Sequence, residues 1–197
     1  PVRYIANRSS GRQGYAIARA LVAAGAETTL ISGPVTLPKV AGAKLVAVET
    51  ALQMLAASED ALPVDVAIFC AAVADWRAEA VAGQKIKKAK QPPSLTLAAN
   101  PDILATIAKG PRRPRLVIGF AAETEDVVTH GRQKLARKGC DWILANDVSP
   151  GTGIMGGTHN RVHLITAQGD EEWPELDKSE VAARLVARIA SALKGTG

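Results

Sequence analysis

Short apolar runs alternate with helix-forming segments along most of this 197-residue chain. Helices are expected between the runs, the first from about Gln13 to Ala24, and the runs themselves predict strands: VRYIA, ETTLIS, LVAVE, VDVAIFCAAVAD, LTLAA, RLVIGFAAE and DWILAND. Such alternation is typical of a parallel sheet covered by helices. Because VDVAIFCAAVAD is apolar throughout, we expect it to be a central strand. The predicted fold class is α/β, a Rossmann-like parallel sheet of about five or six strands with helices on both faces.

The C-terminal part of the chain follows a different pattern. RVHLITAQGDEEWPEL predicts a hairpin that turns at Gln168–Asp170, and Lys178 to Leu193 predicts an amphipathic helix. We expect this hairpin and helix to be appended to the sheet. The stretch after Asp75, WRAEAVAGQKIKKAKQPPS, has no sustained periodicity, and its second half predicts a mobile loop. Length and composition fit one domain over residues 1–197.

Composition narrows the classes of protein that remain. The formal charge is +5, concentrated in the basic runs Gln84–Lys90 and Arg132–Lys138, and no aromatic residue interleaves them. Binders of single-stranded nucleic acid need such aromatics, so local capture of phosphate is favoured over nucleic acid or a membrane surface. No apolar run approaches the roughly 20 residues that cross a bilayer, and no secretory signal precedes the first strand, so we expect a cytoplasmic protein.

Cysteines and histidines give no sign of a metal centre. Cys70 and Cys140 lie far apart in apolar or helical contexts, which predicts structural roles rather than a disulfide framework or a zinc cluster. The three histidines have no ligand spacing with cysteine or carboxylate. No dedicated metal site is therefore predicted.

The segment NRSSGRQG, Asn7–Gly14, closes the first strand and opens the first helix. In open α/β sheets ligands bind at the carboxyl ends of the strands, where amides at a helix start attract anions. Gly11 and Gly14 let the backbone approach a phosphate, while Ser9 and Ser10 can donate hydroxyls. Asn7 can donate to a carbonyl or carboxylate oxygen. On spacing alone, the alternative to a phosphate-binding turn is a simple turn that caps the helix.

Other strand ends carry further candidate residues. CAAVAD ends its run with small residues before Asp75, which leaves room for a ligand or merely permits helix packing. NPDILATIA gives a helix start at Asn100–Asp102 that can present amide groups to a base or sugar. GFAAET places Phe120 and Glu123 at a strand end, and Phe120 can stack on a base or belong to the core.

Lysines form another group of candidates. The run QKIKKAK is either a solvated loop or a loop that closes over a polyphosphate and neutralises a leaving pyrophosphate. Lys134 and Lys138 are four residues apart, so they lie on one helix face and can reach the same ligand or face solvent.

Six motifs together resemble a known family: PVRYIANRSSGRQG, CAAVADWR, QKIKK, NPDILA, GFAAET and ILANDVS. Their order and spacing are similar to those of the phosphopantothenoylcysteine synthetases, over essentially the whole chain. The resemblance implies a ligase that joins 4'-phosphopantothenate to L-cysteine with CTP and Mg²⁺, through an acyl-cytidylate. It also implies a homodimer, with the hairpin Arg161–Glu175 as the expected contact, and fusion to a flavin-dependent decarboxylase domain in a longer protein.

The resemblance also implies roles for individual residues. Asn7 would contact the pantothenate and orient the acyl intermediate, with Ala71, Ala72 and Arg3 on the same side. Lys85 would carry the charge of the triphosphate and would be catalytic together with Asn7. The implied nucleotide-binding residues are Ser9, Ser10, Gly11, Phe69, Cys70, Ala71, Asp75, Lys85, Pro101, Asp102, Ile103, Leu104, Phe120, Lys134 and Lys138.

Two other functions stay open at this point. A short-chain nicotinamide oxidoreductase shares the opening strand, turn and helix, but ISGP stands where its acidic ribose ligand is expected. Tyr4 and Tyr15 also lack a lysine four residues later, as a Tyr-x-x-x-Lys pair requires. A non-catalytic module that binds nucleotides or nucleic acid is supported only by the charge.

Overall fold

The computed structural model describes residues 6–7, 9–80, 95–148 and 159–195. Its helices are α1 (Arg12–Ala23), α2 (Ala51–Asp60), α3 (Ile103–Lys109), α4 (Val127–Lys138) and α5 (Lys178–Lys194). Its strands are β1 (Thr28–Ser32), β2 (Ala43–Ala47), β3 (Val66–Phe69), β4 (Trp76–Ala78), β5 (Leu97–Ala99), β6 (Leu116–Glu123), β7 (Trp142–Asp147), β8 (His159–Asn160), β9 (Val162–Thr166), β10 (Gly169–Glu172) and β11 (Leu176–Asp177).

The largest sheet in the described ranges has five strands in the order β10-β9-β7-β6-β3. Strands β3, β6 and β7 are parallel, and β9 adds to β7 in the antiparallel direction. The predicted hairpin is β9–β10, which therefore extends the sheet itself. The predicted strand VRYIA lies outside the described residues, and β1 pairs with β2 in a separate parallel ladder.

Helices cover both faces of this sheet, which confirms the predicted α/β class. One face of β6, β7 and β9 packs against α1 and α5, with Ile118, Leu144 and Leu185 fully buried. The other face packs against α3 and α4, with Val117 and Ile143 buried. Fully burying such a side chain contributes about 1.5–3 kcal/mol, so the two apolar layers hold the strand ends in place.

Two strand predictions were wrong. The apolar run after Pro63 does not stay a strand to Asp75, because β3 ends at Phe69 and the following chain binds side-chain amides instead of a neighbouring strand. LTLAA does not join the parallel sheet: its last three residues form β5, which pairs antiparallel with β4. Three-residue strands are too short for a periodic pattern to show their direction.

The bounds predicted for the first and last helices, Gln13–Ala24 and Lys178–Leu193, agree with α1 and α5 to within one residue. Helix α1 ends at Ala23, just before Gly25, and α4 ends at Lys138 before Gly139, which has the left-handed conformation favoured by glycine. Helix α5 begins with a capping box, in which the Asp177 carboxylate accepts from the Ser179 amide at 2.8 Å.

Candidate nucleotide and substrate site

The candidate site lies where β3 and β6 end and α1 begins. Strands β3 and β6 run parallel with Phe69 opposite Gly119, so their carboxyl ends share one edge of the sheet. Gly14, in the first turn of α1, approaches the end of β3 so closely that an added Cβ would lie 3.0 Å from Sγ of Cys70. The segment Asn7–Gly14 and the segment after Phe69 are thus neighbours, as ligand binding at this edge requires.

The turn before α1 is built for close approach of its backbone. Gly11 is the N-cap, with φ of 69° in the left-handed region, and an added Cβ would meet Val35 at 2.9 Å. The hydroxyls of Ser9 and Ser10 accept from the amides of Gly11 and Arg12 at 3.4 Å. Both serines are exposed, so the turn offers its hydroxyls to solvent and to a ligand.

Residues 71–75, which follow β3, are held by side-chain amides. Asn7 Nδ2 donates to the carbonyl of Val73 at 3.2 Å, and Asn100 Nδ2 donates to the carbonyl of Ala74 at 2.8 Å. Ala71, Ala72 and Asp75 are exposed. The small side chains therefore leave an open surface beside Asn7.

Cys70 lies between the two segments and is only partly exposed. Burial raises the pKa of its thiol to about 11, although a backbone hydrogen bond opposes the shift. The thiol is therefore protonated near neutral pH and is a packing group, not a nucleophile. This agrees with the structural role predicted for it.

Asp102 and Lys138, both predicted to bind nucleotide, form an ion pair. Asp102 is the N-cap of α3 and accepts from the Ala105 amide at 3.1 Å. Burial opposes ionisation of this carboxyl, but the hydrogen bonds from Lys138 and Ala105 outweigh it, so its pKa is lowered. The structure thus brings these two predicted residues together.

Lys134 is also paired. Its Nζ lies 2.7 Å from Oε1 of Glu123 at the end of β6, and Nδ1 of His130 lies 3.6 Å from Oε2 of the same carboxylate. An open groove of about 660 Å³ runs along this face of α4 and is lined by Glu123, His130, Gln133, Lys134, Ala136 and Arg137. Its cationic groups can receive an anion once Lys134 exchanges its carboxylate partner.

Four predicted nucleotide contacts have side chains that pack in the core. Phe69 and Leu104 pack against the core layer on the α3 and α4 side, and Ile103 is buried. Phe120 packs against the opposite layer, below α1 and α5. The structure therefore does not bring the Phe120 ring to the face of the sheet that carries Lys134.

Two predicted residues, Arg3 and Lys85, lie outside the described residues. No role was predicted for Arg77, whose guanidinium donates to the carbonyl of Ala99 and to Oδ1 of Asn100. One arginine after an apolar run carries no recognisable pattern. Tyr15 is buried, and its hydroxyl lies 3.4 Å from that of Ser32, a structural contact at the end of β1.

No group of three or more metal-ligating side chains occurs within residues 6–7, 9–80, 95–148 and 159–195. In the same ranges no helix is both long and apolar enough to cross a membrane.

Fold and candidate site together define an α/β protein whose candidate site lies at the carboxyl edge of its parallel strands, where amides, hydroxyls and ammonium groups suit an anionic ligand. The family model described as the DNA/pantothenate metabolism flavoprotein C-terminal domain matches residues 1–193. The chain belongs to this family.

Named relatives agree with this assignment. The coenzyme A biosynthesis bifunctional protein CoaBC of Escherichia coli K12 is 46% identical over 190 residues, covering 94% of this chain and 47% of that protein. The chain spans about half the length of the curated relatives it matches. The crystal structure of the C-terminal domain of a CoaBC protein is 36% identical, covers 99% of this chain and 89% of its own, and has a TM-score of 0.82.

A more distant structure shows the fold alone. It is a Cab2 mutant in complex with phosphopantothenate-cysteine, 16% identical, with a TM-score of 0.76 over 99% of this chain and 82% of its own.

Proposed function

We propose that the chain is a phosphopantothenate–cysteine ligase of coenzyme A biosynthesis that uses CTP. Membership of the pantothenate metabolism family supports the substrate class, and the CoaBC relatives support the pathway. The observation that carries the proposal is the contact between Asn7 and the Val73 carbonyl, which joins the serine–glycine turn to the open small-residue segment. One amide thus stands between the predicted nucleotide and pantothenate regions.

The proposed reaction has two steps. A carboxylate oxygen of 4'-phosphopantothenate attacks the α-phosphorus of CTP, the bond to the bridging oxygen breaks, and pyrophosphate leaves. The amine nitrogen of L-cysteine then attacks the acyl carbon of the acyl-cytidylate, and the acyl carbon–oxygen bond breaks to release CMP. The amine loses a proton, and the amide product 4'-phosphopantothenoyl-L-cysteine remains.

Residues of this chain fit separate parts of that chemistry. Exposed Ser9 and Ser10 and the open backbone at Gly11 suit the phosphates. A second Nδ2 hydrogen of Asn7 remains for an acyl oxygen, where a positioned dipole stabilises developing negative charge. Lys134 would neutralise phosphate charge, and Lys85 is proposed for the leaving pyrophosphate.

Magnesium is proposed to enter with the triphosphate. Mg²⁺ prefers oxygen ligands and usually binds through substrate phosphates with one or two carboxylates. Glu123 and Asp102 suit that role poorly, since each is engaged by a lysine. No protein cage for the ion is proposed.

We further propose, from the resemblance, a homodimer in the cytoplasm that contacts through the hairpin Arg161–Glu175, and fusion to a flavin-dependent decarboxylase domain. The relatives are named bifunctional, which supports the fusion. Glu171 of β10 is engaged within the chain, since Arg184 binds it at 2.7 Å. Sedimentation at several concentrations tests the dimer, and a monomer with full activity contradicts it.

One assay tests the proposed function directly. The purified chain is incubated with 4'-phosphopantothenate, L-cysteine, Mg²⁺ and each nucleoside triphosphate in turn, while pyrophosphate release and product mass are followed. CTP should support product formation, and omission of phosphopantothenate should abolish pyrophosphate release. No product with any nucleotide refutes the proposal, and activity with ATP alone refutes its CTP part. Added DNA should change neither readout.

A further inference from the structure

Asn100 joins the two segments between which the nucleotide is proposed to bind. Its Nδ2 donates to the carbonyl of Ala74 at 2.8 Å, and its backbone amide donates to the carbonyl of Asp75, also at 2.8 Å. Its Oδ1 accepts from Nη1 of Arg77 at 3.5 Å. A carbonyl on one side and a guanidinium on the other fix which way the carboxamide points, because only one orientation satisfies both.

The position of the segment Ala71–Asp75 depends on these hydrogen bonds. Within the described residues the segment belongs to no strand, and three of its five residues, Ala71, Ala72 and Asp75, are exposed. The carbonyl of Val73 accepts from Asn7, and the next carbonyl, that of Ala74, accepts from Asn100. The segment is thus held by amides that belong to distant parts of the chain.

We propose that Asn100 is a positioning residue that sets the distance between the segment Ala71–Asp75 and the segment Pro101–Leu104, and so determines nucleotide affinity and base preference. The inference rests on the proposed function, because it assumes that the nucleotide binds between these segments. Asn100 itself needs no contact with the nucleotide. Its backbone immediately precedes Pro101, so any shift of the Ala74 contact is passed to that segment.

The variant Asn100→Asp tests the side-chain hydrogen bond to Ala74 separately from the backbone hydrogen bond to Asp75. It keeps the size of the side chain and an oxygen for Arg77, but it replaces the donor to Ala74 with a carboxylate oxygen that repels the carbonyl. Losing a partly buried hydrogen bond and leaving its acceptor unpaired corresponds to about a 10- to 100-fold change in an equilibrium constant. We expect KM for CTP to rise about 10-fold or more and the CTP-to-ATP ratio of kcat/KM to fall by a similar factor. The KM for L-cysteine should change less than about twofold.

The matched control is Ser58→Ala. It removes a partly buried side-chain bond to a carbonyl, from Ser58 Oγ to Met54 at 2.7 Å, in α2. A purely structural effect would lower the melting temperature or kcat of both variants without changing base preference. A second variant, Arg77→Lys, loosens the guanidinium contacts and should move the CTP-to-ATP ratio in the same direction by a smaller factor, even if Asn100→Asp fails to fold.

Calorimetric titration with CTP separates this inference from the proposed function. The positioning role is overturned if Asn100→Asp leaves CTP affinity and base preference unchanged. If Asn100→Asp does not fold, the same result in Arg77→Lys overturns it. A wild-type chain that binds CTP but makes no product refutes the ligase activity, while weaker CTP binding by the variant still supports Asn100. A wild-type chain that binds no nucleotide overturns both.

Discussion

The contact between Gly14 and Cys70 can be tested by adding a single methyl group. Gly14 lies in α1 and Cys70 follows β3, and an added Cβ would lie 3.0 Å from Sγ. A contact this short is closer than ordinary van der Waals contact, so Gly14→Ala must push the helix or the thiol by a few tenths of an ångström. The same shift would separate the turn Ser9–Gly11 from the segment Ala71–Asp75.

Two opposing terms set the size of the effect. Alanine in a helix is more favourable than glycine by about 0.5–1 kcal/mol, whereas overpacking costs about 1–3 kcal/mol. We expect Gly14→Ala to lower the free energy of unfolding by about 1–2 kcal/mol. In a Cys70→Ala background the sulfur is absent, so Gly14→Ala should raise the free energy of unfolding by up to about 1 kcal/mol. The coupling between the two sites is then about 1–3 kcal/mol.

Urea unfolding of the wild type, both single variants and the double variant measures this coupling. Gly33→Ala is the matched control, because nothing lies within 4 Å of its added Cβ. Its effect should be independent of Cys70. If Gly14→Ala and Cys70→Ala are additive within about 0.5 kcal/mol, the close approach of α1 to β3 is refuted.

Two further predictions concern polar groups of the site. Asn7→Asp puts a carboxylate oxygen against the Val73 carbonyl, which lies 3.2 Å from the present donor. Capture of the acyl intermediate by cysteine should slow more than 10-fold, about the loss of one hydrogen bond to a charged group, while pyrophosphate release persists. Equal loss of both steps would contradict this role. Lys138→Met should raise the pKa of Asp102 towards its usual value, measured by NMR titration of the carboxyl. Because the folded pKa is lowered, the stabilisation by Asp102 is complete above the unfolded pKa and is lost as pH falls through the folded value. Half-exposure of Asp102 keeps the effect below about 1 kcal/mol, and an unchanged pKa would contradict the ion pair.

Local signals in the sequence were sufficient for the bounds of α1 and α5. Gly25 follows α1, and the pair Asp177–Glu180 caps α5, so the residues that bound these helices lie within a few positions of them. The glycine turn before α1 likewise depends on residues close to it in the sequence. These elements were predicted correctly because their physical cause lies within a few residues of each one.

The end of β3 could not be predicted in this way. Alanine and valine after Phe69 are apolar whether their carbonyls bind a strand or a side chain, so the run VDVAIFCAAVAD predicts a longer strand than exists. The groups that bind those carbonyls are Asn7, 66 residues earlier than Val73, and Asn100, 26 residues later than Ala74. Only the folded chain brings these amides together.

The ion pairs of the two lysines of α4 also could not be predicted from the sequence. Their spacing predicts a shared helix face, but it carries no information about Glu123 and Asp102, which lie on other elements and pair with Lys134 and Lys138. A lysine held by a carboxylate has already lost part of its side-chain entropy, so less is lost when it meets a phosphate. The phosphate must also displace or share that carboxylate, which lowers the net gain from each ammonium. Affinity for a polyphosphate at this face therefore depends on the acidic partners as much as on the lysines, and the acidic partners are the part that the sequence pattern leaves out.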